Sequence, residues 1–354
     1  MMMKRVAVSE SVEINEQYRE GAARLLPLLT SARRIISPFH VNSDPDAVGS
    51  ALGMSHLLGA LGKEVTVYAS DGDFPRITAF LPGADRIVRY EGGALPEADL
   101  ILALDSSDTG RLGALHTQNA ARFAAGPTAM IDHHVTHVRF GVAPGGGDAN
   151  FIDSGAAATA EMVYLLARAW GLPITPDAAT CLLAGIYGDT LGLQTTSTSP
   201  RVVRVVADLL AAGGNLTAVV NNFYRSRPFA TVKVWGGVLA QASWQGGVVW
   251  SQVTPELLAE AGSSEGESGG VINFLTGTRG ARVTVLLHRG DNEWRAGLRT
   301  LVEPVDVAAI AEQFGGGGHR KAAGCRIVGG EAERDAFLQE VDRLSAAQVD
   351  TAAQ

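Results

Sequence analysis

The sequence contains few of the residues that build disulfide frameworks or thiolate metal sites. Its two cysteines, Cys181 and Cys325, lie in apolar or Gly/Ala surroundings, and neither belongs to a Cys-x-x-Cys spacing. This scarcity argues against a disulfide scaffold and against a thiolate zinc site, and it fits a protein of the reducing cytoplasm.

The chain also lacks an apolar run long enough to span a bilayer, although 46% of its residues are hydrophobic. The stretch from Met1 to Glu16 is charged and polar, without the sustained apolar segment of a secretory signal. We therefore expect no membrane association and a cytoplasmic location.

A surplus of positive charge is missing as well. The chain has 29 Lys and Arg against 37 Asp and Glu, which gives a formal net charge of −8. Long duplex nucleic acid is bound through clustered Lys and Arg that replace the counterions of the phosphate backbone. We therefore expect no binding of long duplexes, whereas a small anionic substrate held by metal ions and a few local cations is compatible with this charge.

The length of 354 residues exceeds what one ordinary core accommodates, so two domains are expected. Residues 1–224 alternate helical and strand-like segments, which predicts a leading helix and a doubly wound, mainly parallel α/β sheet. Residues 225–232 would be a linker, 233–346 a smaller α/β domain, and 347–354 a tail. In the smaller domain, strands are predicted at 237–241, 248–251, 282–288 and 294–299, and helices at 307–314 and 331–344.

Three apolar, strand-like runs of the first domain end in carboxylates and imidazoles. The residues concerned are His40, Asp44 and Asp46 after Ile35–Phe39, Asp105 after Leu100–Leu104, and Asp132, His133 and His134 after Thr128–Ile131. Because ligands of open α/β sheets bind outside the carboxyl ends of the strands, these side chains are expected to converge on one crevice. A single such residue is most often a helix cap or a solvated loop residue. Together they supply the oxygen and nitrogen ligands of a two-metal site.

The end of one predicted helix bears on this crevice. Asp189 follows the apolar helical stretch 176–187 and lies between glycines, so it can reach the site; capping of the next turn is the alternative. A helix predicted at 156–170 is expected to be capped by Asp153 or Ser154.

The second domain contains four consecutive glycines, Gly315 to Gly318, followed by His319, Arg320 and Lys321. Glycines let backbone N–H groups approach an anion closely, and the basic side chains add positive charge. The sequence therefore predicts a phosphate-binding loop, and a flexible turn with solvated charges is the alternative.

These stretches, in their order along the chain, resemble the motifs of a known superfamily. The stretches His40–Asp46, Leu104–Asp108, Asp132–His134 and Gly188–Thr190 resemble the motifs of the DHH phosphoesterases, and Gly315–Arg320 with Ala322–Gly324 resembles the glycine-rich motif of the DHH-associated C-terminal domain. The likeness covers nearly the whole chain. Among subfamilies it is most similar to the NrnA-type oligoribonucleases and pAp phosphatases, because the two domains stand without further modules.

The resemblance implies two Mn²⁺ ions per subunit, for which Mg²⁺ or Co²⁺ can substitute. It assigns His40 and Asp44 to one ion, Asp46, His133 and Asp189 to the other, and Asp105 to a bridge between them. It assigns catalytic roles to Asp105, to His134, which would face the substrate phosphate, and to Asp132, which would orient an imidazole.

The resemblance also implies contacts with the substrate. The residues concerned are His134, Arg111, Arg299, Gly316, Gly317, Gly318, His319 and Arg320. The family's aromatic residue after the Asp189 motif is replaced here by Gly192-Leu193-Gln194, which leaves the stacking contact with a base open.

The implied activity is the hydrolysis of short oligoribonucleotides to mononucleotides and of pAp to AMP, through a water activated by two metals in the cleft between the domains. Short RNA and small phosphorylated nucleotides would be the partners, with cyclic di-AMP and pApA as further candidate substrates. A RecJ-like single-strand DNA exonuclease, a family II pyrophosphatase-like hydrolase and a non-enzymatic nucleotide sensor are the alternatives.

The segment from Pro200 to Tyr224 carries more apolar residues than one helix flank needs. Burial under the first domain is one explanation, and a contact between subunits is the other. The family resemblance favours a homodimer.

Overall fold

The computed structural model describes residues 12–134, 138–263 and 270–352. The chain divides into two compact units, with the boundary between Ser226 and Arg227. Most of the N-terminal stretch that was inspected for a signal sequence, residues 1–11, lies outside the described residues.

The first unit is built on a parallel sheet. Its strands are β1 (Arg34–Phe39), β2 (Glu64–Ala69), β3 (Val88–Arg89), β4 (Leu100–Leu104), β5 (Thr128–Asp132) and β6 (Asn150–Ile152). They form a six-stranded sheet in the order β3-β2-β1-β4-β5-β6 in which all neighbouring strands run parallel. The strand order runs one way from β1 to β3 and the other way from β4 to β6, as in a doubly wound fold. The predicted doubly wound, mainly parallel sheet is therefore confirmed.

Helices cover both faces of this sheet. They are α1 (Glu16–Ser31), α2 (Pro45–Gly59), α3 (Gly113–Ala125), α4 (Thr159–Ala169), α5 (Pro176–Asp189), α6 (Pro200–Ala211) and α7 (Leu216–Val220). Leu100, Leu102 and Leu104 pack in the core that contains α1, α2, α4 and α5, whereas Ile101 packs in a separate core with Phe123 of α3. Burial on both faces explains why β4 has no polar residue between Leu100 and Leu104.

Two glycines allow α2 and α5 to pack closely. A Cβ at Gly49 would lie 2.5 Å from the carbonyl oxygen of Cys181, and a Cβ at Gly185 would lie 2.6 Å from Asp46 Oδ1. Gly185 is one turn before Asp189, the last residue of α5. The close packing therefore brings the C-terminal end of α5 to the N-terminal end of α2.

Helix α6 accounts for most of the apolar residues that favoured a contact between subunits. Val202, Val205, Val206 and Leu209 are buried within the first unit, whereas Val203 is 49% exposed and Leu210 is 42% exposed. Among the described residues, no single helix has the length and hydropathy of a membrane span. The pair Pro200–Ala211 and Leu216–Arg225 meets that criterion only when the two helices are counted together across a bend of 116°.

The second unit contains a mixed sheet. Its elements are α8 (Phe229–Ala240), β7 (Ser243–Gln245), β8 (Val248–Val253), α9 (Pro255–Ala261), α10 (Val271–Thr276), β9 (Val283–Arg289), β10 (Glu293–Arg299), α11 (Val307–Glu312), β11 (Gly317–His319), β12 (Ala322–Val328) and α12 (Glu331–Ala352). The sheet has the order β11-β12-β10-β9-β8-β7. Neighbours run antiparallel except β8 and β9, which run parallel.

Two expectations for this unit differ from the structure. The strand predicted at 237–241 is wrong, because most of that stretch belongs to α8, whose buried residues Thr231, Val234 and Val238 follow helical spacing. A short apolar run does not by itself distinguish a buried strand from a buried helix. Helix α12 continues to Ala352, through most of the expected tail, and Gln348 within it accepts a hydrogen bond from the backbone of Asp306.

Candidate metal centre

The carboxyl ends of three neighbouring strands and the end of α5 bring imidazoles and carboxylates together. We call the following residues the strand-end cluster: His40, Asp44, Asp46, Asp105, His133 and Asp189. Two groups within it, His40 with Asp44 and Asp105, and Asp46 with His133 and Asp189, each have candidate ligand atoms within 4.8 Å of one another. A third group of this kind is Asp105 with His133 and His134.

Asp105 lies between the two histidines of the cluster. Its Oδ2 is 3.6 Å from His40 Nε2, and its Oδ1 is 3.5 Å from His133 Nε2. The residue has a φ of 56°, a left-handed conformation that is uncommon outside glycine and that recurs at functional sites. Oδ2 is buried and receives no hydrogen bond from any described residue. A buried carboxylate oxygen without a donor is costly, and a bound cation would satisfy it.

Asp46 is held by the first residues of α4. The backbone N–H groups of Thr159 and Ala160 donate to its two carboxylate oxygens at 2.5 and 2.9 Å. The Thr159 hydroxyl donates to Asp105 Oδ1 at 2.9 Å. Thr159 therefore positions both carboxylates, a role that the sequence did not reveal.

The cap predicted for α4 is wrong. The N-cap position is Ala158, which has no side chain that can accept a hydrogen bond, rather than Asp153 or Ser154. The carboxylate of Asp46, from the first turn of α2, takes the place of a local cap. The one signal in the sequence was the run of alanines from Ala156 to Ala158 before the helix, which offers no side chain that could cap it.

His133 has its two ring nitrogens in different surroundings. Nδ1 lies 3.3 Å from the carbonyl oxygen of Ala156, which can only accept, so Nδ1 carries the proton. Nε2 faces carboxylate oxygens of Asp189, Asp105 and Asp46 at 3.2, 3.5 and 4.0 Å. Neighbouring oxygen ligands of a divalent ion at about 2.1 Å lie about 3 Å apart. The spacing around Nε2 is therefore close to that of a metal site.

Asp132 fixes the neighbouring imidazole. Its Oδ1 accepts hydrogen bonds from His134 Nδ1 at 2.8 Å and from the His134 backbone at 3.0 Å. His134 thus has its Nδ1 engaged within the protein, which leaves Nε2 for an external partner.

Arg111 lies against the His40 side of the cluster. Its Nη2 is 3.0 and 3.1 Å from the two ring nitrogens of His40, and its Nη1 donates to the Ser107 hydroxyl at 3.2 Å. The half-buried guanidinium therefore adds a cation beside the carboxylates.

The imidazoles of the cluster take on charge in response to the carboxylates. Burial opposes protonation of His40, but its contacts with Asp105 and Asp44 outweigh burial and raise its pKa to about 9. Burial likewise opposes protonation of His133, but the contact with Asp189 and the charges of Asp46 and Asp105 raise its pKa to about 10. Positive charge is thus strongly favoured at both positions.

The carboxylates respond to the same crowding. Burial raises the pKa of Asp189 to about 6 against its contact with His133, and neighbouring carboxylates contribute. Burial and the charges of Asp105 and Asp189 raise the pKa of Asp46 well above its ordinary value. Burial also opposes ionisation of Asp105, but His40 and the other imidazoles lower its pKa to about 2. Carboxylates packed this closely with imidazoles fit divalent cations, which compensate the negative charge.

The glycine-rich stretch of the second unit forms a tight turn of chain. We call residues Gly315–Gly324 the glycine hairpin, in which Gly317 pairs with Gly324 and His319 with Ala322. A Cβ at Gly316 would collide with the carbonyl oxygen of Gly324, and one at Gly318, where φ is 147°, would lie 2.6 Å from the carbonyl oxygen of Ala322. Two of the glycines are therefore required by the hairpin itself.

The basic side chains of the glycine hairpin are accessible. His319 and Arg320 are exposed, and Arg320 donates to the carbonyl oxygen of Glu303 at 2.8 Å. Arg299 of β10 pairs with Ala322, which pairs with His319, so the three residues lie in one row on the same face of the sheet. Arg299 is half-buried, and burial lowers its pKa.

Comparisons with known proteins identify the family. The model of the DHH family, N-terminal domain, matches residues 34–186, and the model of the DHHA1 domain matches residues 245–347. The chain is 33% identical over 293 residues to the bifunctional oligoribonuclease and PAP phosphatase NrnA of Thermus thermophilus, with 82% of this chain and 83% of that protein covered. This chain belongs to the DHH family.

Two further proteins resemble most of the chain. It is 26% identical over 317 residues to the bifunctional oligoribonuclease and PAP phosphatase NrnA of Bacillus subtilis, which covers 88% of this chain and 94% of that protein. The crystal structure of an exopolyphosphatase-related protein from Bacteroides fragilis superimposes with a TM-score of 0.84 at 22% identity, and covers 96% of this chain and 99% of that one. At that identity the superposition shows the fold alone.

Proposed function

We propose that this protein hydrolyses short oligoribonucleotides to mononucleotides and dephosphorylates pAp to AMP with the help of two divalent metal ions. It is an enzyme of the DHH phosphoesterase family. The observation that carries the proposal is the strand-end cluster, in which Asp105 forms one group of candidate ligands with His40 and Asp44 and lies 3.5 Å from His133 of the other group. The Thermus thermophilus and Bacillus subtilis relatives are both named for these two activities.

The strand-end cluster would hold both ions. His40 and Asp44 would bind one, Asp46, His133 and Asp189 the other, and Asp105 would bridge them. Mn²⁺ suits this set of imidazoles and carboxylates, and Mg²⁺ and Co²⁺ are candidate substitutes. When bound, such a pair supplies Lewis-acid charge to the phosphoryl oxygens and lowers the pKa of a coordinated water.

The remaining polar side chains would act on the substrate. His134, with Nδ1 on Asp132, presents Nε2 to a phosphate oxygen, and Arg111 adds positive charge beside His40. In the second unit, the substrate would be bound by Gly316, Gly317, Gly318, His319 and Arg320, with Arg299 in the same row of the sheet. We further propose a cytoplasmic homodimer.

A panel of substrates tests this function. The purified full chain is incubated with Mn²⁺, Mg²⁺, Co²⁺ or a chelator, and products are separated from pAp, RNA of two to about ten nucleotides, pApA, cyclic di-AMP, single-stranded DNA and pyrophosphate. We expect the highest kcat/KM for pAp and the shortest RNAs, and no turnover with the chelator. Faster hydrolysis of long single-stranded DNA or of pyrophosphate would overturn the substrate assignment in favour of the corresponding alternative.

A further inference from the structure

An ion pair between a partly exposed arginine and a fully buried glutamate joins α4 and α6, and among the described residues its hydrogen bonds go to no member of the strand-end cluster. Arg201 Nε lies 2.7 Å from Oε1 of Glu161, a residue with no exposed surface. The same guanidinium reaches Asp153 Oδ2 at 3.2 Å and the carbonyl oxygen of Gly155 at 3.4 Å. Tyr18 supports the arrangement from α1, because its hydroxyl donates to Asp153 Oδ2 at 2.8 Å. Arg201 therefore anchors the chain between β6 and α4 from one side.

The second carboxylate oxygen of Glu161 anchors the other end of this segment. Oε2 accepts a hydrogen bond from the backbone N–H of Ala157 at 2.7 Å. Residues 153–157 are thus tied at Asp153 by Arg201 and at Ala157 by Glu161. Between these two ties lies Ala156, whose carbonyl oxygen sets the orientation of His133.

The same segment sets where α4 begins. Two residues after Ala157, the backbone of Thr159 and Ala160 binds the carboxylate of Asp46, and the Thr159 hydroxyl binds Asp105. A shift of the segment would therefore move the backbone partners of Asp46 and His133 together. Asp105 would be affected only through the Thr159 hydroxyl, and its other oxygen would keep its contact with His40. Among the described residues, in contrast, the hydrogen bonds and ion pairs of His40 and Asp44 involve neither Glu161 nor Arg201.

We propose that Arg201 and Glu161 are positioning residues that hold Asp46 and His133 in the geometry needed to bind one of the two metal ions, and not the other. This inference rests on the proposed function, since it concerns the same metal centre. Groups that orient metal ligands without touching the metal affect its affinity strongly. A buried ion pair by itself adds little to stability, so a role in fixing geometry gives this pair a physical purpose.

The planar guanidinium is what allows one side chain to meet three acceptors. Its nitrogens reach Glu161, Asp153 and Gly155 from a single group, whereas a Lys ammonium keeps the charge but cannot span them with the same geometry. Arg201→Lys therefore removes the positioning and keeps the charge. Glu161→Gln is a second variant, which removes the carboxylate charge that pairs with Arg201 and that accepts from the backbone of Ala157.

A second ion pair between the same two helices offers a matched control. Arg168 of α4 lies 3.7 Å from Asp208 of α6, with 33% of its side chain exposed against 26% for Arg201. It lies near the C-terminal end of α4, where it contacts Tyr164 and Asp208. Arg168→Lys thus perturbs the packing of α4 on α6 to a similar degree at the far end of the helix.

The experiment measures Mn²⁺ binding to the metal-free full chain without any substrate, by electron paramagnetic resonance of the unbound ion. Unfolding temperatures of the metal-free proteins are recorded alongside. In the wild type we expect two bound ions. In Arg201→Lys, we expect the Kd of one ion to rise about 10- to 100-fold, and that of the other to stay within about threefold. Glu161→Gln should weaken the same ion, and Arg168→Lys should leave both within about threefold.

The other possible results of this experiment distinguish a failure of the proposed function from a failure of the positioning role. A wild type that binds no pair of ions would remove the proposed function itself. If the wild type binds two ions and Arg201→Lys binds them equally well, the positioning role is refuted and the function stands. Equal weakening of both ions, or an equal effect of Arg168→Lys, would show a general loss of packing and would also refute the inference.

Discussion

The strand-end cluster and the glycine hairpin both gather polar groups, but they do so under opposite physical conditions. In the cluster, His40, Asp46 and Asp105 are 1% exposed or less, and hydrogen bonds from α4 fix the two carboxylates. In the hairpin, His319 and Arg320 are exposed on a backbone whose glycines are required for close packing. The first region therefore has the rigidity that bond-breaking chemistry needs, and the second has the accessible charge that recognition needs.

The difference in burial also decides how strongly the residues of each region indicate a function. Buried carboxylates and imidazoles are costly without charge compensation, which a bound cation would supply. Exposed basic residues cost little, and the same triplet can occur on any solvated turn. The structure therefore supports metal binding by the strand-end cluster more strongly than phosphate binding by the glycine hairpin.

The largest expected effect is the loss of chemistry in the cluster. Asp105→Asn removes the charge proposed to bridge two ions and keeps the side-chain shape, and asparagine tolerates the left-handed φ of 56°. We expect kcat to fall about 1,000-fold or more on pAp and on bis(p-nitrophenyl) phosphate alike, since metal-ion catalysis is worth several kcal/mol. Steady-state kinetics with both substrates measures this.

A carboxylate elsewhere in the first unit serves as the control. Asp208 accepts hydrogen bonds from Tyr164 and from the backbone of Val12. Asp208→Asn should keep kcat within about twofold, because a substitution away from the site acts on stability alone. Near wild-type turnover in Asp105→Asn with metal still bound would contradict the bridging role.

The next effect separates recognition from chemistry. Replacing both His319 and Arg320 by Ala should raise KM for pAp and dinucleotides about 10-fold or more per lost contact, because a charge-assisted hydrogen bond to phosphate is worth about 1.5–3 kcal/mol. Hydrolysis of bis(p-nitrophenyl) phosphate, which needs the metals and not the nucleotide contacts, should fall far less. Metal content, measured by atomic emission, should stay unchanged.

Arg326, exposed on β12 beyond the glycine hairpin, is the matched control for charge. Arg326→Ala removes one arginine charge, as the loss of Arg320 does in the double substitution, and should leave KM within about twofold. If both substrate types suffer equally in the double variant, the glycine hairpin serves the fold or the metals, and its contrast with the strand-end cluster disappears.

The smallest effect lies on α6, outside both regions. If the protein is a homodimer through this helix, the exposed Val203 and Leu210 contribute to the contact. Replacing both by Glu should then convert the dimer to a monomer while kcat on bis(p-nitrophenyl) phosphate stays within about twofold. Light scattering at micromolar concentration measures the mass, and a wild type of monomer mass would contradict the dimer.

Elements whose signal is local were predicted well. The strands β1, β4 and β5 could be predicted from apolar runs in the sequence, because these strands are buried on both faces of the sheet. The helix α11 begins at the predicted residue 307, because Asp306 caps it locally by accepting hydrogen bonds from the backbone of Ala308 and Ala309. The stretch 237–241 was predicted wrongly as a strand, because an apolar run of this length fits a buried strand as well as a buried helix.

The sequence by itself determined the chemical types that end each strand, and the topology of a parallel sheet then requires those ends to share one edge. It also determined which stretches are apolar enough to form the core. Only the tertiary structure decided that Asp46 caps a helix 113 residues away, that Ala156 orients His133, and that Arg201 ties the intervening segment. Such contacts join groups that are distant in the chain, and backbone donors and acceptors occur at nearly every residue, so no local pattern distinguishes the ones that the fold brings together.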